Sequence, residues 1–182
     1  MNIFYLHEDP ETCAKLHCDK HVCKMIIEYA QLMSTAHRTL DGVQYTDKTA
    51  NNRNIKRWRL SSDNEEAVLY KASHINHPSN IWTRESKANY IWLYTMWIEL
   101  CKEYTHRYGK THLTEEKLGA LLAKVPNNIP DVPMTTLPQA MPDDVKEADP
   151  IKAYKSYYRN YKKDFAKWTG RAVPEFMNCH AL

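Results

Sequence analysis

The strongest constraint on this chain is segment 10–40, where apolar side chains recur at helical spacing between two clear boundaries. Pro10 suits a first helical turn, Asp9 can cap it, and Asp41-Gly42 supplies a stop. The spacing predicts one long helix. At about 100° per residue, His17, His21, Lys24, Glu28, Gln31 and Thr35 gather on one arc, while Val22, Met25, Ile26, Tyr29, Leu32, Met33 and Ala36 face the opposite way as core. Asp19 and His37 fall on the apolar side, where an acid or an imidazole is costly unless it is paired.

Three readings compete for the polar arc. Lys24 and Glu28 pair at i,i+4 on any solvated helix. Cys13, His17 and His21 have the spacing for two zinc ligands at a time, but no second Cys/His cluster follows, so no metal is expected. The third reading is a cleft wall on which carboxylates and amines adjust one another's protonation.

Beyond Gly42 the polar stretch 43–64 reads as a loop or mobile excursion, followed by a short helix near 64–72. His74-Ile75-Asn76-His77-Pro78-Ser79 is a turn, because the residue before a proline avoids helical geometry. A second long helix should run from Ser79 to Tyr108, with Trp82, Trp92 and Trp97 inward and Gly109 at its end. Thr114 can cap a third helix reaching Lys124. Residues 126–150 hold six of the nine prolines and should lie extended across the helical body through Ile129, Val132, Met134, Leu137 and Met141. From Ile151 to Trp168, the residues Tyr154, Tyr157, Tyr158, Tyr161, Phe165 and Trp168 share a helix face.

The expected fold is therefore all-α: a single compact helical domain with two long helices, a Pro-rich extended segment and a C-terminal basic aromatic helix. Its parts are a helical core over 1–125, the extended segment 126–150, and the helix and tail 151–182. At most one short strand, at the N-terminus, is expected. With 43% hydrophobic residues among 182, a real core can be buried. Four scattered glycines exclude P-loop and dinucleotide-binding fingerprints, and no apolar run spans a bilayer. Neither a cofactor nor a membrane partner is expected. Five cysteines (13, 18, 23, 101 and 179) form an odd set, which fits reduced thiols in a cytoplasmic protein.

The net charge of +3 hides two cationic stretches. Lys48, Arg53, Lys56, Arg57 and Arg59 lie within 48–59 without an acid. Lys152, Lys155, Arg159, Lys162, Lys163, Lys167 and Arg171 lie within 152–171 against Asp164 alone. Such clusters suit phosphate-bearing partners, or else form solvated faces balanced by neighbouring acids. The turn adds Asn76 and His77 at a helix start, where free N–H groups favour an anion, with Arg84 and Glu85 one turn on. Capping alone would also explain Asn76 and His77.

Taken together, Asp19-Lys20-His21-Val22-Cys23-Lys24 with Glu28, Asn76-His77-Pro78 with Trp82, and the ending Arg107-Tyr108-Gly109-Lys110 resemble the pyrimidine-dimer DNA glycosylase (endonuclease V) superfamily. The likeness covers roughly residues 1–110 and is closer to the bacterial and phage branch than to the studied enzyme. The resemblance implies a helical DNA-binding fold, base extrusion and glycosidic cleavage by an N-terminal amine assisted by a helix carboxylate. By position Asp19 matches that carboxylate best, with Glu28 the alternative. The enzyme's small hydroxyl residue at the N-terminus is missing, so either the amine of Met1 or of Lys20 or Lys24 would have to act, or there is no lyase step at all. His77 joins this catalytic set. Lys20, His21, His37, Asn76, Arg84, Arg107, Lys110, Arg159 and Lys162 are the candidate phosphate or substrate contacts.

Two functions follow. One is a DNA glycosylase, with or without lyase activity, acting on a damaged or modified pyrimidine base. The alternative is a phage-type protein that sequesters or processes a small signalling nucleotide, its phosphates cradled by Lys20, Lys24, His77 and Arg84.

Overall fold

A computed structural model of the chain describes residues 1–178. The element order is α1 (Pro10–Leu16), α2 (Asp19–Asp41), β1 (Val43–Lys48), β2 (Asn54–Arg59), α3 (Asp63–Val68), α4 (Pro78–Glu85), α5 (Lys87–Tyr108), α6 (Leu113–Leu122) and α7 (Pro150–Tyr157). A π-helical turn, Tyr158–Lys162, continues α7, and single 3-10 turns occupy Asp143–Val145 and Glu175–Met177.

Helix α2 is the axis of the molecule. It packs against α4, α5 and α6, and its C-terminus meets the base of the hairpin. Val22, Met25, Ile26, Tyr29, Leu32 and Met33 are buried on it against Leu93, Met96, Trp97 and Leu100 in one continuous core. The buried Trp97 indole donates to the Ile26 carbonyl at 2.8 Å, so the ring adds apolar area without leaving a polar atom unpaired. Among the described residues no helix is long and apolar enough to cross a membrane.

The all-α expectation fails at residues 43–59, which form an antiparallel hairpin instead of a loop, in register Val43↔Arg59 through Lys48↔Asn54. Alternation of Tyr45 and Asp47 with Ile55 and Arg57 covers one face only, so an otherwise polar stretch still has a strand pattern. The structure is thus mostly helical with a small two-stranded sheet. No strand forms at the N-terminus, where residues 1–7 run without regular structure. Gly42 makes the hairpin possible, since a Cβ there would lie 2.5 Å from the Arg38 carbonyl and 3.0 Å from the Trp58 Cβ. Arg38 then clamps the junction. Its Nε donates to the Tyr70 carbonyl, Nη1 to the Trp58 carbonyl and the Glu66 carboxylate, and Nη2 to the Glu66 and Leu69 carbonyls.

Both long helices are interrupted. The first breaks at His17 and Cys18, whose backbone is extended, because distant groups claim its polar atoms. The Cys18 N–H faces the Tyr158 hydroxyl at 3.4 Å, and the Asp19 N–H donates to the Lys167 carbonyl at 2.7 Å. The second breaks at Ser86, whose hydroxyl caps α5 through Ala88 N–H and meets the Val132 and Pro133 carbonyls. Gly109 ends α5 in a left-handed conformation, φ 69°.

The Pro-rich segment crosses the body as an ordered strap. Ile129 and Leu137 are buried, Met141 is half-buried, and Val132 and Met134 are exposed. Asn89 pins it by accepting from Thr135 N–H and donating to Thr135 Oγ1. The C-terminal helix stops earlier than expected. It ends in the turn at 158–162, and the chain folds back so that Tyr154, Tyr158 and Trp168 are buried while Tyr161 stays exposed.

Candidate active site

The break in the first helix divides the predicted residues between two places. In the first, the N-terminal segment lies along α2. Its anchor is Phe4, whose N–H donates to the Tyr29 hydroxyl at 3.1 Å and whose ring stacks on His21 with centroids 4.0 Å apart. Tyr29 is itself held by His17 Nε2 at 2.8 Å, and the other His17 nitrogen meets the Cys13 carbonyl at 2.8 Å. Three buried residues therefore fix where the chain's first atoms fall.

Those atoms fall beside Glu28. The Met1 ammonium lies 3.1 Å from Glu28 Oε2, and Lys24 Nζ lies 3.3 Å from Oε1. A hollow of about 150 Å³ opens here, bounded by Met1, Asn2, Phe4, His21, Lys24 and Glu28, with Lys162 from the C-terminal turn. At roughly 30 Å³ per water it holds about five waters, enough for one compact polar group. His21 forms its wall, with Nδ1 2.6 Å from the buried Tyr158 hydroxyl. Burial, together with the nearby positive groups at His17, Lys162, Lys24 and Lys20, drives the His21 imidazole far below its usual range, so it is neutral.

His77 caps α4, with its Nδ1 accepting the Ser79 N–H at 3.1 Å. The neutral ring therefore carries its proton on Nε2. Partial burial lowers its pKa first, the Met1 amine and His74 lower it further, and Glu28 opposes them. His77 therefore feels the charges of the amine–carboxylate pair but does not line their hollow. Asn76 is exposed in the same turn. Arg84, one face along α4, is half-buried with Nη1 enclosed and unpartnered, and burial lowers its pKa.

Asp19 and Arg107 sit in a separate cluster. Arg107 is buried, and its guanidinium donates to Glu103, Asp19 and the carbonyls of His17 and Lys15. Asp19 also accepts the N–H and hydroxyl of Thr169, and Glu103 pairs with Arg171. Burial would raise the Asp19 carboxyl, but the Thr169 hydrogen bonds and Arg107 outweigh it and hold it below the usual range. Every polar atom here already has a partner inside the protein, so this is a tertiary clamp joining α1, α5 and the tail. His37 is buried elsewhere, 2.9 Å from the Tyr90 hydroxyl, and burial lowers its pKa.

The remaining cations divide similarly. Lys162 reaches the hollow and also lies over the Tyr157 ring, and Lys20 lies over Phe165. Arg159 donates to the Phe176 carbonyl, and Lys110 is exposed beyond Gly109. Cys13, Cys18 and Cys101 are buried free thiols and Cys23 is an exposed one, whereas Cys179 lies outside the described residues. Sequence reasoning missed Asn2 and Phe4 as lining, and Tyr29 with His17 as the anchor. Only the alternation of apolar residues after Met1 hinted that this segment packs. Comparisons with protein-family models, with curated proteins and with solved structures gave no match.

Proposed function

We infer that this protein is a DNA glycosylase acting on a damaged or modified pyrimidine, with the Met1 amine as nucleophile and Glu28 as its base and electrostatic partner. One observation carries the reading: a primary amine and a carboxylate 3.1 Å apart in a small cationic hollow. Glu28 takes a proton from the Met1 ammonium, and the neutral amine attacks the sugar C1′. The C1′–N bond to the base breaks as the new C1′–N bond forms, and the departing base takes a proton from water. Positive charge developing on the sugar passes to the attacking nitrogen, and Glu28 returns the proton it took to the ring oxygen O4′ as the ring opens. Opening of the sugar ring then leaves an imine on the Met1 nitrogen, which water hydrolyses. Lys24 and Lys162 hold the adjoining phosphates.

The test is borohydride trapping on duplex oligonucleotides bearing either a thymine dimer or an abasic site. A covalent adduct located in the N-terminal peptide is expected. Glu28→Gln should reduce it about a hundredfold or more, and a Gly-Ser extension ahead of Met1 should abolish it. Failure to bind either duplex at low salt, or an adduct on a lysine, overturns the assignment.

A second reading is favoured by the size of the hollow, which suits a small nucleotide's phosphate as well as a sugar. In it the protein sequesters or processes a free nucleotide. A thermal-shift panel separates the two, since a specific ligand raises the melting temperature by mass action.

A further inference from the structure

The hairpin borders a second, larger cleft. About 480 Å³ of space lies between the outer edge of β2 and segment 72–75, with Ile55, Lys56, Arg57 and Trp58 on one side and His74 and Ile75 on the other. Two-stranded pairing leaves that edge of β2 with backbone groups that β1 does not use. The hairpin is also cationic throughout. Lys48, Arg53, Lys56, Arg57 and Arg59 face one hairpin acid, Asp47, and among the described residues none of the five makes an ion pair. Each ion pair elsewhere in the fold joins a cation to an acid on the body, so the hairpin's charge is left for a partner. Its position is held firmly by Arg38 and Gly42, and Arg57 Nη1 donates to the Ala72 carbonyl across the cleft floor at 2.7 Å.

The turn that lines the cleft leads into α4. His74, in a left-handed backbone conformation at φ 48°, lines the cleft, and its carbonyl accepts the His77 N–H. Asn80 locks this turn by donating to the carbonyls of Ser73 and His74. One side of the turn therefore faces the hairpin cleft, and three residues on, His77 caps α4, which packs on α2, the helix that carries Glu28.

We propose that this cleft is a subsite for a single nucleic-acid strand flanking the nucleotide in the Met1–Glu28 hollow, with a base packed against Trp58, phosphates on Lys56 and His74, and a further phosphate on Arg53 in the hairpin turn just beyond the cleft. The combination of an indole and apolar walls with unpaired cations is what a base and its phosphate require together. An acidic peptide would use the cations and leave the indole idle. The subsite rests on the nucleic-acid reading of the first site, but not on that site's chemistry.

The experiment measures binding of a fluorescein-labelled dT10 strand by anisotropy across a salt series, with the full chain. Arg53→Gln combined with Lys56→Gln removes two exposed cations and should flatten the log–log salt slope by about 1.4. Binding should quench indole emission in the wild type and quench it less in Trp58→Phe. Binding of dT10 with a slope unaltered by the double substitution overturns the subsite and leaves the glycosylase reading intact. Hairpin-dependent binding without any borohydride adduct supports the subsite and removes the chemistry. Displacement of dT10 by polyglutamate at equal charge, with no Trp58-dependent quenching, also overturns it.

Discussion

Replacing Asp19 with asparagine tests whether the cluster at α1, α5 and the tail is a clamp or a reacting centre. The carboxylate accepts Thr169 N–H at 2.9 Å, Thr169 Oγ1–H at 2.7 Å and Arg107 Nη1–H at 3.0 Å. Hydrogen bonds to an ionised group contribute about 1.5–3 kcal/mol, against about 0.5–1.5 kcal/mol between neutral groups. Asparagine also presents an N–H₂ to partners that are all donors. The expected loss at pH 7 is therefore about 2–3 kcal/mol, with Arg107 retaining Glu103 and two carbonyls. In a chain of this length each kcal/mol moves the melting temperature by about 2–4 °C, so calorimetry should find a fall of about 5–10 °C. The penalty is also pH-dependent. The folded carboxyl titrates below its ordinary value, so its contribution is complete above about pH 4 and lost as pH falls through the folded value. The wild-type and Asp19→Asn melting curves should converge in acid. An unchanged melting temperature together with abolished cleavage of damaged duplex would refute the clamp and return Asp19 to the chemistry.

Two further outcomes are expected of the scaffold. Stability should decline as pH falls below about 6.5, because burial holds His17 at about 4 and His21 lower still, so the unfolded chain binds protons first. Each histidine contributes up to about 1.4 kcal/mol per pH unit, and urea midpoints unchanged between pH 7 and 5 would contradict this. Arg38→Leu should cost about 3–5 kcal/mol by leaving the Glu66 carboxylate and four carbonyls without their donor. A urea-unfolding loss below about 1 kcal/mol would mean the hairpin is held by something else.

The helical body was legible because its signals are local. Asp9 and Pro10 do open a helix, Gly109 does close one, and the apolar arc of α2 is core. The strap was legible for a similar reason, since prolines with interspersed apolar residues have few alternatives to extended packing. The hairpin was not. Its strands are short, its inner face is half-polar, and what fixes it is Arg38, a charged residue in the last turn of α2 whose five donors are all used over sequence separations of 20 to 32. Periodicity reads which face is apolar and is silent about a guanidinium that serves as the core of a junction.

The same distinction decides between the two acids of the first helix segment. Under one continuous helix Asp19 is the more suspicious residue, because it falls on the buried arc and so demands a partner. That demand is real, but it is met by Arg107 and Thr169, separated from Asp19 by 88 and 150 positions, and by a helix break that the Tyr158 hydroxyl and the Lys167 carbonyl help to create. An acid whose lone pairs are filled by fixed donors has little left to give a substrate. Glu28 is the opposite case. It lies on the arc that reads as ordinary solvent-facing charge, its lysine partner is 64% exposed, and its other contact is the Met1 amine. On the proposed reading, the reacting acid is the carboxylate that fixed donors do not enclose. In this molecule that depends on where the N-terminal segment is laid, which Tyr29, His17 and the Phe4–His21 stack decide.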